Sequence, residues 1–389
     1  MSERNRPVPR VGMVGGGQLA RMTHQAGISL GVDFRVLAAS ADDSASLVAG
    51  AVTLGDERGA PDLLAFAKSC DVLTFDHEHV PEPVLRELEE AGAVLRPGRD
   101  ALRHAQDKLR MRTRAEELGA PCPRWRAVTA ASHVEAFADP ARGGTGWPVV
   151  LKATRGGYDG KGVWIVRDPG EAAEVVARAA AAEVPLLAEE LVAFERELAV
   201  QVARSPYGQI AVYPVVETVQ RDGICHEVIA PAPGLDEDKA VRAQEFAIEL
   251  AHALGVVGVL AVELFETADG VVVNELAMRP HNSGHWTMDG AVTSQFEQHL
   301  RAVLDLPLGA PRATAPFTVM ANVLGGADPG VYGRYIHVMA KDPALKVHFY
   351  GKEVRPGRKI GHVNVSGDDP GDLLERARDA AAYLKGDHQ

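Results

Sequence analysis

The segment ELFETADGVVVNELAMRPHNSGHWT, residues 263–287, contains two short apolar runs on either side of an Asp-Gly dipeptide. The first run covers residues 256–265 and the second covers residues 271–273, with residues 268–270 between them. Apolar runs separated by Asp-Gly predict a β-hairpin. Such a hairpin would place Glu263 and Glu275 side by side.

Two adjacent carboxylates repel each other unless a cation lies between them. Paired carboxylate oxygens with further positions left open suit Mg²⁺ that also contacts phosphates. Arg279, His281, Asn282 and His285 follow the hairpin directly and could hold an anionic intermediate. The segment therefore predicts ATP-dependent chemistry on a small anion.

Length and composition indicate an ordinary globular protein. A chain of 389 residues is too long for one small core, so we expect two or three domains. The net charge is −12, and no basic stripe is visible. Because phosphate neutralisation needs such a stripe, we expect no nucleic acid as the main partner.

Targeting signals and cysteine chemistry are not indicated. Residues 1–10 are polar, and no run of about 18 apolar residues is present, so we expect neither a signal peptide nor a membrane span. The three cysteines, Cys70, Cys122 and Cys225, are widely spaced and show no disulfide or zinc pattern. A cytoplasmic protein is the simplest interpretation.

The first hundred residues alternate between strand and helix patterns. Strands are predicted at 8–14, 34–38, 52–54 and 72–75, and helices at 18–27 and 61–69. This alternation is typical of a parallel sheet with helices on both faces. The unit closes near residues 96–98, and one long charged helix is predicted over 100–118, followed by a linker at 121–123.

Later segments are also strand and helix patterns. A strand at 149–152 enters a glycine-rich loop, 155–162, which is followed by a strand at 163–166, a helix at 171–182 and a strand at 186–190. The hairpin belongs to a third region that ends near residue 305. The tail mixes short strands with a final helix over 370–384.

The loop after the first strand carries Gly15, Gly17 and Ala20, a spacing that lets backbone approach a phosphate at a helix N-terminus. A dinucleotide site also needs an acid at the end of the second strand, which here ends Ala-Ala-Ser. We therefore favour a single-phosphate site over an NAD site. A tight turn without a ligand remains an alternative.

The segment TFDHEHV, residues 74–80, lies where a parallel strand would end, the usual ligand edge of such sheets. His77 and His79 suggest a metal, but no third ligand is evident nearby. An acid that hydrogen-bonds a ligand hydroxyl or amine is the preferred interpretation, with Glu78 favoured over Asp76.

Lys152 followed by the glycine-rich loop differs from the Walker A pattern, because no Gly-Lys-Ser/Thr closes it. A strand lysine with a glycine-rich cover can still hold nucleotide phosphates. Glu189 is a candidate acceptor for an adenine amino group, and Glu197 for a ribose hydroxyl. An ordinary hairpin tip with solvated glutamates is the competing interpretation.

The segment KEVRPGRKIGH, residues 352–362, concentrates four cations within eight residues around Pro356-Gly357. This pattern predicts an anion site. A solvated basic turn is the competing interpretation.

Four stretches together carry a resemblance: GGGQLARM at 15–22, GYDGKG at 157–162, RPHNSGHWT at 279–287 and RPGRKIGH at 355–362. In this order the chain resembles the ATP-grasp superfamily and, within it, the 5-(carboxyamino)imidazole ribonucleotide synthases, over nearly its whole length. The resemblance implies an α/β chain with an ATP-grasp fold. It implies a Rossmann-like pre-grasp domain over 1–107, an ATP-grasp domain over 108–306 with its lid at about 124–190, and a small β-rich C-terminal domain over 307–389.

The family's activity is then the expected activity. Its members use ATP and bicarbonate to carboxylate the amine of 5-aminoimidazole ribonucleotide through carboxyphosphate, in purine biosynthesis. Mg²⁺ is the implied cofactor, with Mn²⁺ as a second candidate, and a homodimer is implied.

Site residues follow from the resemblance motif by motif. Arg279 and His281 would act at the carboxyphosphate, and Glu263 and Glu275 would hold the metal. The residues expected to hold ATP are Lys108, Lys152, Gly157, Tyr158, Asp159, Gly160, Lys161, Gly162, Val163, Glu189, Glu190, Leu191, Val192, Glu197, Gln220, Asn274 and Glu275. The residues expected to hold the ribonucleotide are Gly16, Gly17, Gln18, Glu78, Tyr158, Lys161, Lys352 and Arg358.

Three positions depart from the family pattern, and rival functions remain. Gln220 replaces a common His, and Lys108 and Lys161 replace common arginines, keeping charge but losing the bidentate fork.

The nearest rival is a formate-dependent glycinamide ribonucleotide transformylase, which the stretches HNSGHWT and RPGRK disfavour. An NAD-dependent oxidoreductase and a non-catalytic nucleotide sensor are more distant rivals.

Overall fold

The computed structural model describes residues 8–157 and 160–387. Over these residues the chain forms three β-sheets with helices packed against them. No helix in this described part is both long and apolar enough to cross a membrane.

The first sheet is parallel, as predicted, with the order β3-β2-β1-β4. Its strands are β1 (Arg10–Val14), β2 (Asp33–Ala38), β3 (Val52–Leu54) and β4 (Val72–Phe75). The helices of this part are α1 (Gln18–Leu30), α2 (Ala60–Ala67), α3 (Glu82–Glu90) and α4 (Arg99–Gln106).

Helices cover both faces of this sheet because its strands are apolar on both sides. On one face, Val14 lies in a core with Leu63 of α2 and Leu85 of α3. On the other face, Val11 and Met13 pack with α1 and with a helix from much later in the chain, at residues 295–303.

The single helix predicted over 100–118 is wrong. The segment forms α4, which ends at Gln106, and α5 (Lys108–Glu117). Asp107 between them is extended, and its carboxylate accepts hydrogen bonds from the backbone N–H groups of Leu109 and Arg110. Aspartate is a favourable N-cap, so it starts a new helix even though the charge pattern continues across the break.

The second sheet is antiparallel and contains β5 (Trp125–Val128), β6 (Val149–Ala153), β7 (Val163–Val166) and β8 (Leu186–Glu190) in the order β5-β8-β6-β7. Helices α6 (Ala131–Ala138) and α7 (Pro169–Ala181) pack on it around an apolar core. We call this sheet the lid sheet. The glycine-rich loop connects its strands β6 and β7.

The third sheet, which we call the central sheet, runs in the order β14-β13-β9-β11-β12-β15-β17-β16, with β10 paired to β9. Its strands are β9 (Arg196–Arg204), β10 (Ile210–Val212), β11 (Val216–Arg221), β12 (Ile224–Ala230), β13 (Gly258–Thr267), β14 (Gly270–Ala277), β15 (Phe317–Leu324), β16 (Lys346–Phe349) and β17 (Lys359–Gly367). The C-terminal strands thus extend the sheet of the preceding region.

Within residues 160–387, the helices that accompany the central sheet are α8 (Glu237–Ala253), α9 (Thr287–Gly290), α10 (Gln295–Val303), α11 (Val331–Lys341) and α12 (Pro370–Lys385). Helix α12 shares an apolar core with β15 and β17. Helix α10 reaches back to the first sheet, where the hydroxyl of Thr74 and Nε2 of His299 are hydrogen-bonded at 2.7 Å. The first and central sheets are therefore joined by packing as well as by the chain.

Candidate active site

The predicted hairpin is confirmed. Strands β13 and β14 pair antiparallel, and Glu263 lies directly opposite Glu275, next to a register shift between Glu263 and Leu264. On the other side of β13, Ala199 of β9 lies opposite Glu263. Since residues two apart on a strand share a face, Glu197 is a diagonal neighbour of Glu263.

This group of carboxylates carries strong mutual repulsion. Burial, with the charges of Glu275 and Glu197, raises the pKa of Glu263 to about 7. Burial, with Glu275, also raises the pKa of Glu197 to about 7, although Lys152 opposes it. A cation bound here would relieve the repulsion between these groups.

The donor set fits a divalent cation that is only partly ligated by protein. In the described part of the chain, no group of three or more His, Cys, Asp or Glu side chains has the geometry to hold a metal. A pair of carboxylates such as Glu263 and Glu275 is what Mg²⁺ uses when phosphates and waters complete its coordination. The ammonium of Lys108 lies 3.1 Å from Glu275.

Lys152 is held in place from two sides. Its Nζ lies 2.8 Å from Oε2 of Glu189 and donates to Oδ1 of Asn274 at 3.0 Å. The other oxygen of Glu189 accepts from Nε of Arg112 at 2.5 Å. Burial works against ionisation of Glu189, but Lys152 and Arg112 hold its pKa below the ordinary value.

This arrangement changes the interpretation of Glu189. Its side chain is 2% exposed, and each carboxylate oxygen is bound by a cation. The carboxylate therefore orients Lys152, a role that we did not expect from the sequence, and its role as an adenine acceptor stays a prediction.

Arg279 and His281 lie just beyond the end of β14. Nε of Arg279 donates to Glu78 at 2.8 Å, and the backbone N–H of Met278 donates to the same carboxylate at 3.1 Å. Nε2 of His281 lies 3.2 Å from Glu263, and its Nδ1 is 2.8 Å from the hydroxyl of Ser283. Burial, with Arg279 and Lys359, lowers the pKa of His281 to about 3, so its ring is neutral at pH 7.

The glycine loop after β1 is surrounded by carboxylates. The N–H of Gly17 donates to Asp76 at 2.6 Å, and the N–H of Gly16 donates to Glu57 at 3.1 Å. A Cβ at Gly15, where φ is +108°, would lie 1.7 Å from Asp76. These two amides therefore donate to carboxylates in this structure, and the single-phosphate site stays a prediction.

The same surroundings account for His77, which was considered as a metal ligand. Its Nε2 lies 3.4 Å from Glu57, and its ring stacks on His79. Asp76 is deeply buried, and that burial raises its pKa to about 6. Asp76 thus supports the glycine loop, whereas Glu78 anchors Arg279.

A cationic segment meets the start of α1. Nζ of Lys352 donates to the side-chain oxygen of Gln18, the first residue of α1. The residue before α1 is Gly17, which has no side chain to cap the helix. Burial, with Arg358, lowers the pKa of Lys352 to about 8, and Nη1 of Arg358 donates to the carbonyl of Glu353 at 3.3 Å.

A cavity of about 590 Å³ brings most of the predicted residues together. Those that line it are Glu78, Lys108, Lys152, Gly157, Gly160, Val163, Glu189, Glu190, Leu191, Val192, Glu197, Gln220, Glu263, Asn274, Glu275, Arg279 and His281. The predicted residues outside its lining are Gly16, Gly17, Gln18, Lys161, Gly162, Lys352 and Arg358. Tyr158 and Asp159 lie outside the described residues.

Asn282 and Lys359, which belong to the two polar stretches singled out in the sequence but were given no individual role, also line the cavity. The contributor that sequence reasoning missed is Arg112, which donates to Glu189. Nothing in the local sequence distinguishes Arg112 from the surface arginines of the same helix.

Three family models match consecutive parts of the chain. Residues 8–106 match the ribonucleotide synthetase preATP-grasp domain, and residues 113–296 match the ATP-grasp domain. Residues 318–376 match the phosphoribosylaminoimidazole carboxylase C-terminal domain. The expected α/β architecture, with an ATP-grasp domain between a pre-grasp and a C-terminal domain, is therefore confirmed.

Whole-chain relatives agree with this order. The N5-carboxyaminoimidazole ribonucleotide synthase of Mycobacterium tuberculosis is 55% identical, covering 97% of this chain and 88% of the relative. That of Synechococcus elongatus is 42% identical, covering 97% and 94%.

Solved structures are similar over the same extent. The synthetase from Thermus thermophilus has a TM-score of 0.86 at 38% identity, covering 97% of this chain and 98% of that one. The Aspergillus clavatus synthase in complex with ADP and 5-aminoimidazole ribonucleotide has a TM-score of 0.86 at 31% identity, with the same coverage. Together with the carboxylate pair and its cations, these relatives show that the chain belongs to the N5-carboxyaminoimidazole ribonucleotide synthase family of ATP-grasp ligases.

Proposed function

We propose that this chain uses ATP and bicarbonate to carboxylate the exocyclic amine of 5-aminoimidazole ribonucleotide, a step of purine biosynthesis. The products are N5-carboxyaminoimidazole ribonucleotide, ADP and phosphate. The observation that carries the proposal is the placement of Glu263 and Glu275 in one cavity with Lys152, Arg279 and His281. The ADP and ribonucleotide named for the Aspergillus relative support the same assignment.

ATP is assigned to the part of the cavity between the lid sheet and the central sheet. Lys152 and Lys108 would contact its phosphates under the glycine-rich loop. Because the Glu189 carboxylate is engaged by cations, the adenine is assigned to the backbone of residues 190–192. Gln220 lines the same part of the cavity and can hydrogen-bond where the family commonly has His.

Glu263 and Glu275 are assigned to a divalent metal, Mg²⁺ in our proposal with Mn²⁺ as a second candidate. When bound, such an ion neutralises charge on a transferring phosphoryl group and orients it. Lys108, 3.1 Å from Glu275, keeps one cation beside the pair. The repulsion that raises the pKa of Glu263 would be relieved as the site fills.

The chemical step needs positioning and charge stabilisation more than a covalent nucleophile. Bicarbonate oxygen attacks the γ-phosphorus of ATP, the bond to ADP breaks, and carboxyphosphate forms. Arg279, anchored by Glu78, is placed to stabilise this anion. Carboxyphosphate then delivers its carboxyl group to the amine as its bond to phosphate breaks and phosphate leaves. The proton that the amine loses is assigned to His281 or to a neighbouring carboxylate such as Glu263, 3.2 Å from Nε2 of His281.

Water has to be excluded while carboxyphosphate exists, because hydrolysis would waste ATP. Gly157 and Gly160 of the glycine-rich loop, together with residues of the lid sheet, line the cavity and are assigned to this closure. Lys161 and Gly162 of the loop belong to the same assignment.

The ribonucleotide is assigned to the edge of the first sheet. Its phosphate would lie near Lys352, Arg358 and the start of α1 at Gln18, where cations and helix N–H groups favour an anion. The carboxylate of Glu57 beside Gly16 suits a hydroxyl donor of a ribose better than a phosphate.

The remaining assignments concern organisation. We propose the boundaries 1–107, 108–306 and 307–389 for the three domains, a homodimer, and a cytoplasmic location. The continuous central sheet supports a C-terminal domain that is packed rigidly against the ATP-grasp domain.

Phosphate release from MgATP and bicarbonate, with and without 5-aminoimidazole ribonucleotide, tests the proposal. We expect strong stimulation by the ribonucleotide, with phosphate and carbamate formed in equal amounts. Stimulation by glycinamide ribonucleotide and formate instead would identify a transformylase and contradict the proposal.

A further inference from the structure

Arg112 of α5 is a buried cation that sequence reasoning did not assign. Its side chain is 1% exposed. Nε donates to Glu189 at 2.5 Å, Nη1 donates to the carbonyl of Val273 at 3.0 Å, and Nη2 donates to the carbonyl of Asn274 at 2.8 Å. All three nitrogens of the guanidinium group are therefore used.

These contacts form a closed circuit of hydrogen bonds and ion pairs at the nucleotide cavity, which we call the ring. Arg112 binds one oxygen of Glu189, and Lys152 binds the other. Lys152 also donates to the side chain of Asn274, whose backbone carbonyl returns to Arg112. The direction of the Lys152 ammonium is thus set by two partners, and Arg112 contacts both of them.

The ring crosses between two sheets. Glu189 lies on β8 and Lys152 on β6, both in the lid sheet, whereas Val273 and Asn274 lie on β14 of the central sheet. Arg112 lies on α5, which belongs to neither sheet. Arg112 therefore bridges the two walls of the nucleotide cavity, which the Lys152–Asn274 hydrogen bond also joins.

The positions of these three acceptors favour an arginine at position 112. A planar guanidinium can serve a carboxylate and two carbonyls at once, whereas a lysine ammonium at the same place would serve fewer of them. Removing the cation would leave the carbonyls of Val273 and Asn274 buried without these donors. It would also leave Glu189 with Lys152 as its only cation within this ring.

We propose that Arg112 is a positioning residue for nucleotide binding: it sets the separation of the lid and central sheets and aims Lys152 at the ATP phosphates. This inference rests on the proposed function only in that the cavity binds a nucleotide. It assigns Arg112 no contact with substrate.

The test is the affinity of the full chain for MgADP, measured by calorimetry. We expect Arg112→Lys to weaken binding about tenfold, equivalent to about 1.4 kcal/mol, and Arg112→Met to weaken it further. Arg114→Lys and Arg114→Met are matched controls, because Arg114 lies on the same helix and pairs with Glu117 at the surface. Both controls should keep wild-type affinity.

A double-mutant cycle separates positioning from general damage to the fold. If Arg112 acts through Lys152, then Arg112→Met should cost much less affinity when Lys152 is already methionine. Additive losses, or an Arg112→Lys variant with wild-type affinity, would overturn the proposal. Thermal unfolding identifies a variant that fails to fold, in which case Arg112→Lys alone completes the cycle. Since the readout is ADP binding, failure of the carboxylation proposal would leave this result interpretable.

Discussion

Two carboxylates that line the same cavity, Glu189 and Glu263, are in opposite electrostatic surroundings. Glu189 lies between Arg112 and Lys152, which hold its pKa below the ordinary value despite its burial. Glu263 lies beside Glu275 and Glu197, and its burial among them raises its pKa to about 7. The same residue type is thus paired with two cations at one end of the cavity and lies beside other carboxylates at the other.

The difference separates two roles that an acid can have in the cavity. A carboxylate that already has its cations stabilises and orients the fold, and breaking its pairs is costly. A group of carboxylates without enough cations costs stability and favours binding of a cation from solution. We therefore expect opposite consequences when each acid is neutralised.

Glu275→Gln should have the largest effect on activity. Losing one of the two assigned metal carboxylates should lower phosphate release about 1,000-fold, with the fold intact by circular dichroism. Asp269→Asn, at the exposed tip of the same hairpin, is the matched control and should be unaffected. Wild-type turnover by Glu275→Gln would show that the metal assignment is wrong.

Glu189→Gln should have the largest effect on stability. It leaves the buried side chains of Arg112 and Lys152 without their carboxylate, so the free energy of unfolding should fall by about 3 kcal/mol, measured by denaturant titration. Glu174→Gln, at an exposed position of α7, should stay within about 0.5 kcal/mol of wild type. If the free energy of unfolding of Glu189→Gln equals that of the wild type, the conclusion that Glu189 stabilises the fold is wrong.

Lys352 extends the comparison to a buried cation. Burial, with Arg358, lowers its pKa to about 8, so the free protein loses this charge as pH rises through 8. Binding a phosphate then requires reprotonation, and the KM for the ribonucleotide should rise up to about tenfold per pH unit above that value. Lys352→Arg should abolish this rise, because arginine stays charged. A pH-independent KM in the wild type would contradict the assignment.

Glu263→Gln should have the smallest effect on the free energy of unfolding, with the opposite sign to Glu189→Gln. Without divalent metal, removing one of three neighbouring acids should leave the free energy of unfolding unchanged or raise it by up to about 1 kcal/mol. Added Mg²⁺ should stabilise the wild type more than the variant. If Glu263→Gln lowered the free energy of unfolding as much as Glu189→Gln does, the two carboxylates would not differ in their contribution to stability, and the comparison would be wrong.

The parts of the site that the sequence predicted depend on local signals. The Asp-Gly turn fixed the hairpin, and the hairpin register then brought Glu263 opposite Glu275. The strands of the first sheet were visible as apolar runs, because strands covered on both faces are apolar throughout. The glycine run after β1 was recognisable in the sequence. The positive φ of Gly15 explains why that position needs a glycine, since few other residues adopt this conformation.

The parts that it missed depend on distant partners. Arg112 contacts residues 77 and 161 positions away, and within a highly charged helix it reads as one more exposed arginine. The role of Glu189 changed for the same reason, since its two cations come from α5 and β6. The break at Asp107 was missed because capping and helix continuation place similar polar residues at that position.

The packing of α10 against the first sheet has a consequence for synthesis on the ribosome. Leu300 and Val303 of this helix complete the core around Val11 and Met13, yet the helix begins at Gln295 while the last strand of the sheet ends at Phe75. At a translation rate of roughly 5–20 residues per second, on the order of 10–40 s separate these two elements. We expect the nascent first sheet to keep part of one apolar face uncovered for that time, which makes it a natural site for chaperone binding during translation.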